Sequence, residues 1–251
     1  IFEDLKLIFK KKNLIINELK MNDKQISSNY ILGNFWNIIL LLLEVFIYYF
    51  LLVIIFKKNI FGETATFIGV LIGLIHFRLI NDIIVNSARC IVKNSNILLQ
   101  FKITPLVFFS VEFLYSLKQF FLFFLIGFFF CIFHGFSINF NIVFYPAIFF
   151  FLILFCWGLS LIMAVILTRF RDIDRIMTFA FRILFYLSPV IYPYTLIPEN
   201  INLIYFLNPF AIFLSLVQSC FFNFPFISIL SIVYCFTFTI FVFLFSHSIF
   251  K

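Results

Sequence analysis

Charged residues are scarce in this chain. Only 12% of its 251 residues are Asp, Glu, Lys or Arg, whereas about a quarter of a typical soluble domain is charged. Hydrophobic residues make up 64% of the sequence, well above the share found in soluble proteins. This balance excludes an ordinary soluble domain and predicts a polytopic membrane protein, which at this length would form one domain.

The sequence also lacks the short motifs of common catalytic and binding sites. Only seven glycines occur, and none lies in the GxxxxGK[ST] pattern of a phosphate-binding loop, so ATP hydrolysis by that route is excluded. The HExxH and GxSxG motifs are absent as well. The five cysteines form no CxxC pair and the three histidines are far apart, so we expect no disulfide, no metal site and no bound cofactor.

Six apolar stretches are long enough to cross a membrane as helices, which requires about 20 residues each. Lys and Arg are concentrated in the first 34 residues and in the second and fourth connections, whereas Lys57 and Lys58 are the only basic residues in the other connections. This asymmetry predicts that both termini are cytoplasmic. It also explains the net charge of +7 without nucleic-acid binding. The predicted spans are residues 35–56, 66–85, 104–132, 142–168, 177–196 and 224–249.

Two segments on the predicted cytoplasmic side have a mixed composition. Residues 2–21 combine apolar and basic side chains, which is typical of a helix that lies in the membrane interface. An ordinary solvated leader would share this composition. The second connection, residues 86–103, is polar enough to leave the membrane and form a short helix in the cytoplasm.

Prolines interrupt the fifth apolar stretch and the segment that follows it. A proline removes a backbone donor and clashes with the preceding turn, so a continuous helix through Pro189 and Pro193 is not expected. Backbone that leaves helical geometry at membrane depth must be buried in protein or line a wet cavity. Pro198 and Pro209 could each start a short helix. The pattern favours a path through the membrane over a plain anchor.

Ionisable residues occur in two settings. A charged cluster between the fourth and fifth spans predicts a salt-bridge network at the membrane boundary, in preference to catalysis. Ionisable side chains within spans are costly and are functional candidates. Of these, Arg78 could pair with Asp82 one helical turn away, and we expect Glu112 and Lys118 to pair across helices or to reach a wet lumen. The candidates within spans are Glu44, His76, Arg78, Glu112 and Lys118.

Several short motifs resemble those of the permease subunit of type 2 ABC exporters. The closest resemblance is to the branch that exports lipid-linked polysaccharides, namely O-antigens, capsules and teichoic acids, and it covers almost the whole chain. The order of the FRDI, SPxxYP, IP (Ile197–Pro198) and NP motifs is the specific part, and the LGxxW motif alone is weak. The motifs are LGxxW at Leu32–Trp36, KxxP at Lys102–Pro105, FRDI at Phe170–Ile173, SPxxYP at Ser188–Pro193 and NP at Asn208–Pro209.

The chain departs from this family pattern in two places. The proline that usually follows LGxxW is missing, and Leu40–Leu43 continue to Glu44 instead. His76–Arg78 also stand where the family commonly has a tryptophan. These departures affect the identity of the substrate more than the architecture.

The resemblance implies a half-transporter in the bacterial inner membrane. Two copies of the chain would pair, and each would dock a separate ATPase subunit that holds the ATP and magnesium. The complex would export a lipid-linked glycan and contact membrane lipids. The implied fold is an all-α membrane protein with one domain, residues 1–251. Its parts are an interfacial helix (1–34), a six-span bundle (35–249), a coupling-helix loop (86–103) and an external region of re-entrant helices (197–223).

The resemblance also implies three groups of site residues. Coupling to the ATPase is assigned to Ser87, Arg89, Ile91, Lys93 and Asn94. An interface or gating cluster is assigned to Arg169, Arg171, Asp172, Asp174 and Arg175. An external gate is assigned to Ser188, Pro189, Tyr192, Pro193, Pro198, Asn208 and Pro209.

Two other functions remain open at this point. A type 2 ABC permease for a small hydrophobic substrate would share the architecture, but the short N-terminal helix and the lack of a large external domain favour the glycan branch. A multispan membrane enzyme acting on a lipid-linked sugar would need a carboxylate or histidine cluster facing a cavity. The sequence reveals no such cluster.

Overall fold

The computed structural model describes residues 11–29, 33, 35–62, 65–101, 104–133, 135, 140–222 and 224–250. Within these residues every regular element is helical. Five helical segments are long and apolar enough to cross a membrane, which confirms an all-helical, multi-pass membrane protein. They are Phe35–Ile55, Thr66–Lys93, Pro105–Phe133, Phe140–Arg169 and Ile229–Phe250.

The helices are numbered here in chain order. They are α1 (Lys12–Asn29), α2 (Phe35–Tyr49), α3 (Thr66–Lys93), α4 (Ser95–Phe101), α5 (Pro105–Phe133), α6 (Tyr145–Arg169), α7 (Ile173–Tyr186), α8 (Asn202–Tyr205), α9 (Pro209–Phe221) and α10 (Ile229–Phe250). The first span continues beyond α2 as a π-helix over Phe50–Ile55. Short 3-10 turns cover Phe140–Phe144, Tyr194–Leu196 and Glu199–Ile201.

Helix α3 is the centre of the bundle. It packs mainly against α5 and α6, and α10 packs in turn against α6. Every residue from Ile68 to Phe77 is buried, as expected for a stretch of helix that is apolar on nearly all sides. His76 lies fully buried on α3, with Nδ1 2.8 Å from the Ile72 carbonyl oxygen and Nε2 2.9 Å from the Tyr145 hydroxyl. Because a carbonyl only accepts, Nδ1 carries the proton, and this histidine ties α3 to α6.

Helix α1 rests on the beginning of α5. Ile15 is buried and packs in one apolar cluster with Val107 and Val111, whereas Lys12 and Lys20 are exposed. An N-terminal amphipathic helix is therefore present, and its place in the membrane interface stays a prediction. Residues 1–10 of the predicted interfacial segment lie outside the described residues. So do Leu32, Asn34, Lys102 and Ile103 of the first two motifs.

The second predicted span, residues 66–85, is longer in the structure. Helix α3 continues to Lys93, so the first half of the predicted loop 86–103 belongs to this helix and only α4 forms a separate short one. The polar composition suggested a loop, but no glycine or proline interrupts the helix there. Asn94 ends it, and its side-chain nitrogen donates to the Cys90 carbonyl at 2.9 Å.

The fifth predicted span, residues 177–196, is broken in the structure, as its prolines predicted. Helix α7 has 14 residues and ends at Tyr186, which makes it about 21 Å long at about 1.5 Å per residue. The apolar core of a bilayer is about 30 Å thick. The described residues therefore hold five full-length spanning helices instead of six, because Pro189 prevents α7 from continuing.

Candidate functional site

Helix α7 presents three different faces. Its buried face packs into the core, and a second, apolar face is exposed. A third stripe carries polar side chains every four residues, a spacing that places them on one side of a helix. The buried residues are Met177, Phe181 and Phe185, the exposed apolar ones are Ile176, Phe179 and Ile183, and the polar stripe is Asp174, Thr178, Arg182 and Tyr186.

At one end of the polar stripe, Arg89 of α3 joins two residues of α7. Its Nε donates to Asp174 Oδ1 at 2.5 Å, and its Nη2 donates to Thr178 Oγ1 at 2.9 Å. The side chains of Arg89 and Asp174 are 38% and 40% exposed, so solvent screens part of their attraction. This contact brings together the coupling segment and the charged cluster, which the sequence placed 85 positions apart.

The other predicted coupling residues differ in their accessibility. Ser87 is fully buried, which removes it from any surface that could contact a partner. Ile91 and Asn94 are half-buried, and Lys93 is exposed. The Lys93 ammonium lies 4.0 Å from a Glu112 carboxylate oxygen on α5, which confirms the expected pairing of Glu112 across helices.

The charged cluster forms fewer ion pairs in the structure than the sequence predicted. Within the described residues, Asp174 is the only member with an ion pair, and its partner is Arg89 from outside the cluster. The other members sit on or beside the tight turn between α6 and α7, where a salt-bridge network was predicted. These exposed residues are Arg169, Arg171, Asp172 and Arg175.

A pocket of about 460 Å³ opens in the middle of the polar stripe, between α2, α3 and α7. Two arginines and two carboxylates line it, so its formal charges balance. Such groups are costly among apolar spans unless they meet water, a partner or a ligand. The polar lining residues are Glu44, Tyr48, Arg78, Asn81, Asp82, Thr178, Arg182 and Tyr186, and Phe77, Phe181 and Phe185 supply aromatic walls. The Arg78 guanidinium also lies over the Phe123 ring, 5.2 Å from its centre.

The predicted break at the prolines is confirmed. After Tyr186 the chain forms successive turns, and Ser188 and Val190 are fully buried. Gln218 of α9 bonds the backbone of this segment: its Nε2 donates to the Pro189 carbonyl at 2.8 Å and the Tyr192 carbonyl at 3.0 Å. Its Oε1 accepts from the Tyr194 amide at 3.0 Å. The backbone groups released by the helix break thus find partners on a neighbouring helix.

Further contacts bring the predicted external residues together. The Tyr192 hydroxyl donates to the Tyr186 carbonyl at 3.0 Å and lies 3.2 Å from the Tyr205 hydroxyl. Asn208 donates to Ser188 Oγ at 3.2 Å and accepts from the Phe210 amide at 3.0 Å. The second bond caps α9, whose first residue is Pro209, as predicted. Exposed Pro198 precedes the 3-10 turn Glu199–Ile201 and α8, without a direct bond to this group.

Helix α3 approaches the proline segment, residues 187–194, at Gly73. A Cβ atom at this position would overlap the carbonyl oxygen of Val190. Glycine is required there because two stretches of backbone meet with no room for a side chain. Along α3, Gly73 and Arg89 are about 24 Å apart, so this contact and the Arg89 contact lie near opposite ends of the helix.

Sequence reasoning missed several residues of this site. Arg182 lies just inside the predicted fifth span and was not recognised as a site residue, and neither were Thr178 and Gly73. Gln218 did carry a signal, because it is a polar amide inside the apolar run 210–222. Glu44 and Arg78 were recognised singly, but their spacing cannot reveal that α2, α3 and α7 converge.

No protein-family model matches the chain, and no curated protein sequence matches it either. The resemblance to exporter permeases therefore rests on the motifs alone. The function proposed below depends on the geometry of the pocket and of the contacts at the two ends of α7.

Proposed function

We propose that the chain is the membrane permease subunit of an ATP-driven exporter of a lipid-linked polysaccharide. The observation that carries this proposal is the charged pocket and its position on α7. One helix connects the pocket to the Arg89–Asp174 contact at one end and to the proline segment at the other. A transport subunit needs a pocket for its substrate, a contact through which a partner can move it, and a segment that can open. The pocket, the Arg89–Asp174 contact and the proline segment could serve as these three parts.

The chemistry of the pocket suits a sugar. Its charges balance, so it does not favour a strongly anionic or cationic ligand. Guanidinium, carboxylate and amide groups can exchange hydrogen bonds with hydroxyl groups, and aromatic rings provide apolar walls beside them. Four ionisable groups also argue against a permease for a small hydrophobic substrate.

The remaining parts of the proposal concern partners and topology. A separate ATPase subunit, carrying ATP and magnesium, would dock at the end of the bundle that holds Arg89, Lys93 and α4. A second copy of the chain would cover the exposed apolar face of α7. Helix α7 with the proline segment would form the sixth crossing, and α8 and α9 would be the re-entrant helices at the outer mouth. The distribution of Lys and Arg supports cytoplasmic termini, and the bundle would lie in the inner membrane of a bacterium.

We expect the purified chain alone to hydrolyse no ATP, because its sequence has no phosphate-binding loop. Co-expression with the ATPase subunit of its own exporter should yield a stable complex that hydrolyses ATP. The measurement is phosphate release by the permease alone, by the ATPase alone and by the complex. Hydrolysis by the well-purified permease, or failure of the two subunits to associate, would contradict the proposal.

Arg182→Leu should lower glycan export by about tenfold or more, because it leaves the pocket carboxylates short of one cation and one hydrogen-bond donor. Arg175→Leu is the matched control: it removes an exposed arginine from the same helix but from outside the pocket. Export is measured as surface glycan per cell, normalised to membrane-inserted protein. Equal losses in the two variants would show that the pocket has no special role.

A membrane enzyme acting on a lipid-linked sugar is the second candidate. The pocket favours it in one respect, since Glu44 and Asp82 are two carboxylates that line one cavity. Such an enzyme would convert lipid-linked sugar without ATP and without a partner, and Asp82→Asn would stop that conversion. Incubating the purified chain with lipid-linked sugar alone, followed by mass analysis, separates the two functions.

A further inference from the structure

We propose that Gln218 is a positioning residue that holds the proline segment, residues 187–194, in a closed position, as a latch would. This inference rests on the proposed function, because a latch has a use only where that end of the bundle opens during transport. It assigns a role to a residue outside the sequence motifs and outside the pocket.

The hydrogen bonds of Gln218 support this role. Its side chain is 1% exposed, and its amide makes three bonds, all to the backbone of the proline segment at 2.8–3.0 Å. A glutamine amide has two donor hydrogens and one acceptor oxygen, and each part is used here. One side chain therefore supplies hydrogen bonds that a continuous helix would otherwise make within itself.

The two sides of this contact differ in how firmly they are held. Every residue of α9 from Phe210 to Phe221 is buried, so the helix that carries Gln218 is anchored in the bundle. The chain just beyond the proline segment is largely exposed, with large apolar side chains such as Leu196, Ile204 and Leu207 on the surface. The proline segment itself is mostly buried, and Asn208 and Pro225 also bond it, at Ser188 and at the Tyr194 hydroxyl. Gln218 holds the backbone between these two points, and because the chain beyond is exposed, the proline segment is the side that moves when its bonds break, with α9 as the fixed support.

Helix α7 connects the proline segment to the Arg89 contact, so a movement at Arg89 can reach the bonds of Gln218. The last carbonyl of α7, that of Tyr186, accepts from the Tyr192 hydroxyl inside the proline segment at 3.0 Å. Arg89 holds the first turn of the same helix through Asp174. A shift of α7 along its axis would therefore load the proline segment against Gln218, and release of the amide bonds would open this end of the bundle.

The test uses the accessibility of Val190, which is fully buried in the proline segment. A Val190→Cys reporter is placed in the full-length chain after its five buried cysteines have been replaced. The rate of labelling by a water-soluble maleimide is measured on the detergent-purified protein. Gln218→Met, which keeps the length of the side chain but removes all three bonds, should raise this rate by about tenfold or more.

Matched controls separate local release from general loosening. Ser215→Ala removes a buried hydroxyl from the same helix, but that hydroxyl bonds only its own helix, at the Ala211 carbonyl, so the reporter rate should stay unchanged. A second reporter retains only the native Cys156, which is fully buried on α6 and should stay unlabelled in Gln218→Met. Gln218→Glu keeps an acceptor but loses donor hydrogens, and should give an intermediate rate.

Two results would overturn the latch: an unchanged Val190→Cys rate in Gln218→Met, or an equal rise in Ser215→Ala. If Gln218→Met does not accumulate as folded protein, Gln218→Glu decides by the same criterion, and an unchanged rate overturns the latch. The assay uses neither ATP nor glycan. A failed latch is therefore distinguishable from a failed exporter assignment, which the ATPase and export measurements test separately.

Discussion

Asp174→Asn reduces glycan export about fivefold, whereas Asp172→Asn leaves it nearly unchanged. The two carboxylates are two residues apart, but only Asp174 accepts the 2.5 Å bond from Arg89, while Asp172 is exposed on the turn. Hydrogen bonds to charged groups are worth about 1.5–3 kcal/mol, but both side chains are more than a third exposed, so screening leaves about 1 kcal/mol, or about fivefold. Export is measured as surface glycan, normalised to inserted protein.

A charge exchange distinguishes a lost contact from a lost fold. Arg89→Asp combined with Asp174→Arg restores opposite charges across the same gap, so it should recover part of the export that either single change removes. The bond from Arg89 to Thr178 is not rebuilt, which limits the recovery. No recovery in the double variant, or a loss in Asp172→Asn as large as in Asp174→Asn, would refute a specific role for this pair.

Gly73→Ala destabilises the folded protein by about 1–3 kcal/mol, the usual cost of forcing an extra methyl into packed structure. Alanine normally stabilises a helix relative to glycine by about 1 kcal/mol, so a net loss means that the clash outweighs the helix preference. The methyl group would meet the backbone of Val190, which cannot turn away as a flexible side chain can. The fall in thermal unfolding temperature in detergent measures the effect.

Gly127→Ala is the matched control for this change. Gly127 is also a buried helical glycine, but its added Cβ would meet only the ends of side chains, Ile75 Cδ1 at 3.0 Å and Leu71 Cδ2 at 3.9 Å. That methyl can shift, so the variant should be neutral or slightly more stable. An unfolding temperature of Gly73→Ala equal to that of the parent protein would show that α3 and the proline segment are not in close contact.

Composition and proline positions are enough to predict the class of the molecule and the place where its fifth span breaks. The shortage of charge requires a membrane protein, and in lipid the backbone must satisfy its own hydrogen bonds, which favours helices. Pro189 ends a helix through covalent geometry, whatever surrounds it, so the break after Tyr186 was predictable. The end of α3 was not predictable, because residues 86–93 are polar enough for a loop but continue a helix that is stabilised by packing.

Which of these parts meet depends on how the helices pack. Arg89 meets Asp174, Gly73 meets Val190, and Gln218 meets the proline segment because helices far apart in the chain pack with a particular rotation and offset. That arrangement depends on the sum of many small contacts between side chains, each worth only a fraction of a kcal/mol. Hydrophobic patterns show that a helix is buried, but they do not show which neighbour a given side chain meets. The pocket therefore could not be predicted from the sequence, because it forms only where α2, α3 and α7 pack together.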